Sequence, residues 1–133
     1  MIVVDANVVV YFYVEGEHTP GAEAVFARDP EWAAPYLWRS EFRNALLGFV
    51  RRRGLAIEDA MHYTDDAERR MAGREYTIVS DRVLTLAVRL GCSAYECEYV
   101  ALAQDLGRPL VTTDAQVLMA FPSVAVTPER FAR

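Results

Sequence analysis

The sequence predicts an α/β fold, a three-layer α/β/α arrangement around a central, mainly parallel sheet. Three observations carry this. Short, wholly apolar segments such as Ile2-Val3-Val4 and Leu110-Val111 have the unbroken hydrophobicity of strands buried on both faces. Segments with helical apolar spacing alternate with them, and alternating strands and helices produce a parallel sheet flanked by helices. The chain has 133 residues, 53% of them hydrophobic. That is the length of a single domain, residues 1–133, with enough apolar side chain for a core without disulfides.

The elements follow in order. Ile2–Val4 reads as a strand ending at Asp5, and residues 7–14 either continue it or turn into a short helix; pattern does not decide. Thr19 is placed to cap a helix over 20–28, with Pro20 at its first position. A strand at Trp32–Ala34 closes at Pro35. The clearest helix spans 37–52, where Trp38, Phe42, Ala45 and Phe49 share a face, three arginines occupy the last turn and Gly54 stops it. A helix over 57–71, a strand at Tyr76–Val79, a helix over 81–90 capped by Ser80, and a helix over 95–106 ending at Gly107 come next. Strand 109–112, helix 115–121 and strand 124–126 complete the pattern.

Composition excludes several functions. The formal charge of −5 argues against a domain that grips nucleic acid by charge alone. All 14 basic residues are arginine, which disfavours aspartate-based phosphoryl transfer that depends on a lysine. There is no G-x-G-x-x-G, no G-x-x-x-x-G-K and no G-x-S-x-G. Cys92 and Cys97 have no zinc spacing and read as small buried side chains; His18 and His62 read as surface residues. The apolar N-terminal run lacks a preceding basic residue and is too short to span a bilayer, so the chain is expected to be soluble and cytoplasmic, without a membrane partner.

Acidic residues are the candidates for chemistry. Asp5 and Asp114 each follow a predicted parallel strand, and in open parallel sheets functional groups collect at the strands' carboxyl ends. Glu41 sits one turn into the core-facing helix 37–52, where a carboxylate is costly unless a cation pairs with it, whether a metal ion or Arg39 or Arg43. Glu96 lies in the first turn of helix 95–106; Glu98, about 200° round that helix, cannot face the same site. Capping or simple ion pairing would explain any one of these acids singly, but not their joint placement.

At these residues the sequence resembles the PIN-domain ribonucleases, and among them the VapC-type toxins of toxin–antitoxin pairs. The resemblance runs through IVVDANVVV, Ser40-Glu41-x-x-Asn44-Ala45-Leu46, Tyr95-Glu96-Cys97-Glu98-Tyr99-Val100-Ala101-Leu102-Ala103 and Leu110-Val111-Thr112-Thr113-Asp114, nearly the whole chain. It implies a Mg²⁺ or Mn²⁺ site formed by Asp5, Glu41, Glu96 and Asp114, with Asn7, Asn44 and Thr112 orienting water or phosphate. It implies endonucleolytic hydrolysis of RNA by in-line attack of water, a homodimer, and a cognate antitoxin protein as partner. Oxygen-only ligands suit a hard cation such as Mg²⁺. The third acid of the pattern is ordinarily aspartate; Glu96 adds a methylene, displacing the carboxylate by roughly 1.5 Å. A second reading follows from that departure: an RNA- or protein-binding module of the same fold with a weakened or inactive metal site. Arg51–Arg53, Arg69, Arg70 and Arg74 are candidates for basic rims or plain solvated helix ends, and Tyr11, Phe12 and Tyr13 for base stacking or packing.

Overall fold

The computed structural model describes residues 1–133. The chain order is β1 (Ile2–Val4), α1 (Ala6–Tyr13), α2 (Thr19–Arg28), β2 (Trp32–Pro35), α3 (Leu37–Arg53), α4 (Ile57–Met71), β3 (Glu75–Tyr76), α5 (Ser80–Leu90), α6 (Ala94–Leu106), β4 (Leu110–Val111), α7 (Ala115–Ala120), β5 (Ala125–Val126) and α8 (Pro128–Phe131). The strands form one five-stranded sheet in the order β3-β2-β1-β4-β5, with every pair parallel.

The chain therefore builds outward from β1 through β2 to β3, then crosses back to β4 and β5. Right-handed crossovers place the helices of the outward run on one face of the sheet and those of the return on the other. The packing agrees: α1 lies against α2 and α3, α3 against α4, while α5 and α6 pack together and α6 covers β1, β2 and β4. Val3, Val4 and Val111 are fully buried between these layers, alongside Trp38, Phe42 and Val100 from the helices. The helical layers on both faces are why the strands carry no polar alternation.

Local chemistry decides what periodicity left open. Residues 7–13 are helical, not strand, and Val14 is the extended residue that ends the helix; Asp5 accepts the Asn7 N–H at 3.3 Å and starts α1 directly after β1. Thr19 does not cap α2 but is its first residue, with Pro20 second. Its buried hydroxyl accepts the Gly16 N–H at 3.0 Å and lies 2.8 Å from the Tyr11 carbonyl, tying down the α1–α2 loop. Ser80 likewise belongs to α5, which has no side-chain cap. The strand expected at Tyr76–Val79 is only Glu75–Tyr76, since its partner β2 gives out at Pro35 and turns into α3. α8 was not expected, although Thr127 caps it by accepting the Arg130 N–H and Pro128 opens it, a signal present in the sequence. No helix is long and apolar enough to cross a membrane.

Arg39, a candidate partner for Glu41, is committed elsewhere. Its guanidinium grips Glu75 through two hydrogen bonds of 2.6 and 2.8 Å and reaches Glu68 at 2.6 Å. Trp38 Nε1 donates to the same Glu75 carboxylate at 2.8 Å. This cluster fastens the start of α3 to β3. The Arg39 guanidinium holds the Glu75 carboxyl below its ordinary value, so the stability it contributes is present above pH 4.5 and is lost as pH falls below that. Glu75→Ala should cost about 3 kcal/mol in urea unfolding at neutral pH, toward the low end for a broken buried pair because Arg39 is partly exposed. A loss under about 1 kcal/mol would show the cluster to be dispensable.

Candidate active site

The strand order reverses between β1 and β4, and a crevice opens at such a switch point outside the carboxyl ends of the strands. Asp5 immediately follows β1 and Asp114 lies three residues beyond β4, so the sheet delivers both carboxylates to that crevice. The outward run supplies Glu41 from α3, and the return run supplies Glu96 from α6. All four acids, with Asn7 and Thr112, line a pocket of about 250 Å³ whose remaining wall includes Ser93, Tyr95 and Tyr99.

Hydrogen bonds aim the acids. Asp5 Oδ1 caps α1, while Oδ2 accepts from the Thr112 hydroxyl at 2.8 Å. The same hydroxyl accepts the Asp114 N–H at 3.1 Å, so Thr112, itself buried, links the two aspartates. Asp114 Oδ1 caps α7 at the Val117 N–H, 3.0 Å away, and leaves its other oxygen free. Tyr99 donates to Glu41 Oε1 at 2.6 Å; a buried tyrosine from the opposite helical layer thus takes the place expected of Arg39 or Arg43. Arg43 bonds instead to the Arg39 carbonyl. Ser93 caps α6 through the Glu96 N–H at 3.1 Å. Glu96 Oε2 is buried and has no hydrogen-bond partner.

Capping and site formation are therefore not alternatives: one oxygen of each aspartate caps a helix and the rest of the carboxylate faces the pocket. Asn7 stands at the pocket, its side chain exposed. Asn44 is exposed, one turn farther along α3 and outside the lining. Glu98 faces a neighbouring cavity. Tyr99 went unassigned by sequence reasoning; its i,i+3 spacing from Glu96 on a buried helix was the available signal. Arg69, Arg70 and Arg74 precede β3 at the amino end of the parallel sheet, away from the pocket, and Arg70 is engaged with Asp66 at 2.8 Å. Phe12 packs on Phe26 and Trp32, and Tyr13 bonds Asp66, so neither is free to stack on a base. Cys92 and Cys97 are buried free thiols; burial first and then the Glu96 charge push the Cys92 thiol up.

Burial raises the Asp5 carboxyl above its ordinary value; the Thr112 and Asn7 bonds oppose this and the Asp114 charge adds to it. Burial likewise raises Glu41, opposed by Tyr99 and reinforced by Asp5, Glu98 and Glu96. Partly desolvated carboxylates that repel one another, together with an unpartnered buried oxygen on Glu96, leave a demand for positive charge that no arginine meets. The donor set, all oxygen, fits a hard divalent cation. As the side chains stand, no three acids are gathered tightly enough to hold one ion together.

A parallel sheet in this order, layered by helices and carrying acids at its switch point, defines a PIN-type domain. No family model matches the chain. Ribonuclease VapC3 of Pyrobaculum aerophilum is 30% identical over 130 residues, covering 96% of this chain and 98% of that protein. The chain belongs to the VapC-type ribonuclease family. The crystal structure of PAE2754 from Pyrobaculum aerophilum superimposes with a TM-score of 0.77 at 22% identity, covering 98% of this chain and 92% of that one. A toxin–antitoxin complex from Klebsiella pneumoniae contains a chain with a TM-score of 0.71 at 16% identity, covering 96% and 98%.

Two outcomes test this electrostatic picture. A carboxyl whose pKa rises on folding costs stability above its ordinary value of 3.8, and the cost vanishes at lower pH. Asp5→Asn, which can still cap α1, should therefore melt higher than wild type in EDTA at neutral pH, with the gap closing toward pH 4. A constant gap would reject the assignment. In Tyr99→Phe, carboxyl-carbon NMR should find Glu41 titrating still higher than in wild type; an unmoved value would show that the Tyr99 bond does not support the charge.

Proposed function

We propose that the protein is a Mg²⁺- or Mn²⁺-dependent endoribonuclease, acting in the cytoplasm as the toxin of a VapBC-type pair. One observation carries the reading: four carboxylates, two following strands and one from each helical layer, line one pocket at the switch point, and the buried Glu96 Oε2 among them has no partner.

Asp5 and Asp114 are the residues to ligate the cation directly, because each keeps oxygen free of its capping bond. Glu41 and Glu96 complete the shell or hold its waters. When bound, Mg²⁺ or Mn²⁺ supplies Lewis acidity toward water and the phosphodiester. Thr112 fixes the Asp5 carboxylate, and Tyr99 fixes Glu41 so that Oε2 points to the pocket. Asn7, at the mouth, offers amide donors to a phosphate oxygen. Asn44 lies too far along α3 for that task in this arrangement and belongs to the proposal only as a contact to a longer RNA. The antitoxin is a partner by analogy with the complex from Klebsiella pneumoniae, and a homodimer would cover the apolar side chains that α5 exposes at Val88 and Leu90.

The longer Glu96 side chain favours the second reading, a binding module with a weakened site. One experiment separates them. Structured RNA is incubated with wild type and Asp5→Asn, with Mn²⁺ or with EDTA, and thermal midpoints are measured in parallel. The nuclease reading expects Mn²⁺-dependent cuts that fall at least 100-fold in the mutant, the scale on which removing one electrostatic contributor acts, and a midpoint raised by millimolar Mn²⁺ in wild type only. Equal background cutting and an unmoved midpoint would support the binding module.

A further inference from the structure

A second cavity, of about 370 Å³, adjoins the acidic pocket. Along the start of α6 the two linings alternate, Ser93, Tyr95 and Glu96 on the acidic pocket and Ala94 and Glu98 on the second cavity. Glu41 and Glu96 face the acidic side, whereas Tyr36, just before α3, and Glu98 face the other. The second cavity is lined by Tyr36, Tyr76, Ile78, Ser80, Leu84 and Glu98, among others, and none of its lining residues is cationic.

We propose that this cavity is a nucleobase subsite of the RNA substrate and that it selects guanine, with Glu98 accepting two adjacent N–H groups of the base. The proposal rests on the nuclease reading above and names part of its specificity.

Three features point to a flat, neutral, hydrogen-bond-donating ligand. The rings of Tyr36 and Tyr76 take part in none of the aromatic pairs of the fold. Tyr36 is 53% exposed, so ring surface remains open for a base to stack on. Leu84 and Ile78 supply apolar contact for the rest of such a ring. Glu98 is half-buried, lines the cavity, and is engaged by no hydrogen bond or ion pair. A carboxylate without a cation nearby repels phosphate, so the base and not the backbone fits here. Of the four RNA bases, guanine alone presents two parallel N–H donors on one edge, the ring N1–H and the exocyclic amino group. A carboxylate accepts two such donors side by side. Adenine, cytosine and uracil offer one donor group on that edge and leave one Glu98 oxygen unpaired.

The test uses full-length protein and two readouts. Guanosine, adenosine, cytidine and uridine are titrated into metal-free wild type and Glu98→Gln, followed by NMR. Guanosine should bind at least tenfold tighter than the other three, with perturbations at Tyr36 and Tyr76, and Glu98→Gln should lose that preference while melting no lower than wild type. In parallel, a random-sequence RNA pool is cut in Mn²⁺. Wild type should favour G at one fixed position beside the cut, and the cuts that Glu98→Gln makes should lack that preference. Equal binding of all four nucleosides, guanosine binding unchanged in Glu98→Gln, or cutting by wild type without a G preference each overturns the subsite. If guanosine binds as expected and wild type cuts no RNA, the nuclease reading fails and the subsite stands.

Discussion

The hydroxyl of Thr112 is the interaction on which the site is built. It donates to Asp5, the residue after β1, and accepts the N–H of Asp114, beyond β4. β1 and β4 are neighbours only because the chain crosses back over the sheet after β3. Two carboxylates more than a hundred positions apart in sequence thereby become adjacent, and a neutral buried hydroxyl keeps them in register without cancelling their charge. An arginine in that place would have satisfied the acids and closed the pocket to any other cation.

Holding like charges together opposes folding, and the rest of the molecule supplies the compensation. The valine-rich strands are buried on both faces. The Arg39–Glu75–Trp38 cluster fixes the beginning of α3, the helix that delivers Glu41. Tyr99 reaches from α6 to the Glu41 carboxylate, so the two helical layers meet over the carboxyl edge of the sheet through the functional residues themselves.

Much of this was legible in sequence. Unbroken apolar strands and helical stripes define the architecture, and the position of Asp5 and Asp114 after two such strands locates the pocket without knowledge of the third dimension. What was not legible depended on pairing. Whether residues 7–14 form strand or helix turns on one capping bond from Asp5. Thr19 has the composition of a cap, but its hydroxyl serves a loop that only tertiary packing creates. Glu41 in a core-facing helix signalled a missing partner, but nothing local distinguishes Arg39, which is drawn to Glu75, from Tyr99, which lies 58 residues away. Glu96 and Glu98 could be assigned to different sides of α6 from helical geometry alone, yet the cavity that Glu98 lines is otherwise made by Tyr36 ahead of α3, by β3 and the loop after it, and by α5.

The two outermost strands, β3 and β5, are each two residues long. An open sheet offers its edge backbone to any extended chain that comes near, and the length of that edge sets how firmly a newcomer is held. Here there is almost nothing to grasp. Self-association or capture of another polypeptide by lengthening the sheet finds little paired strand to extend at either side, which leaves the side chains of the helical layers as the larger surface for recognition.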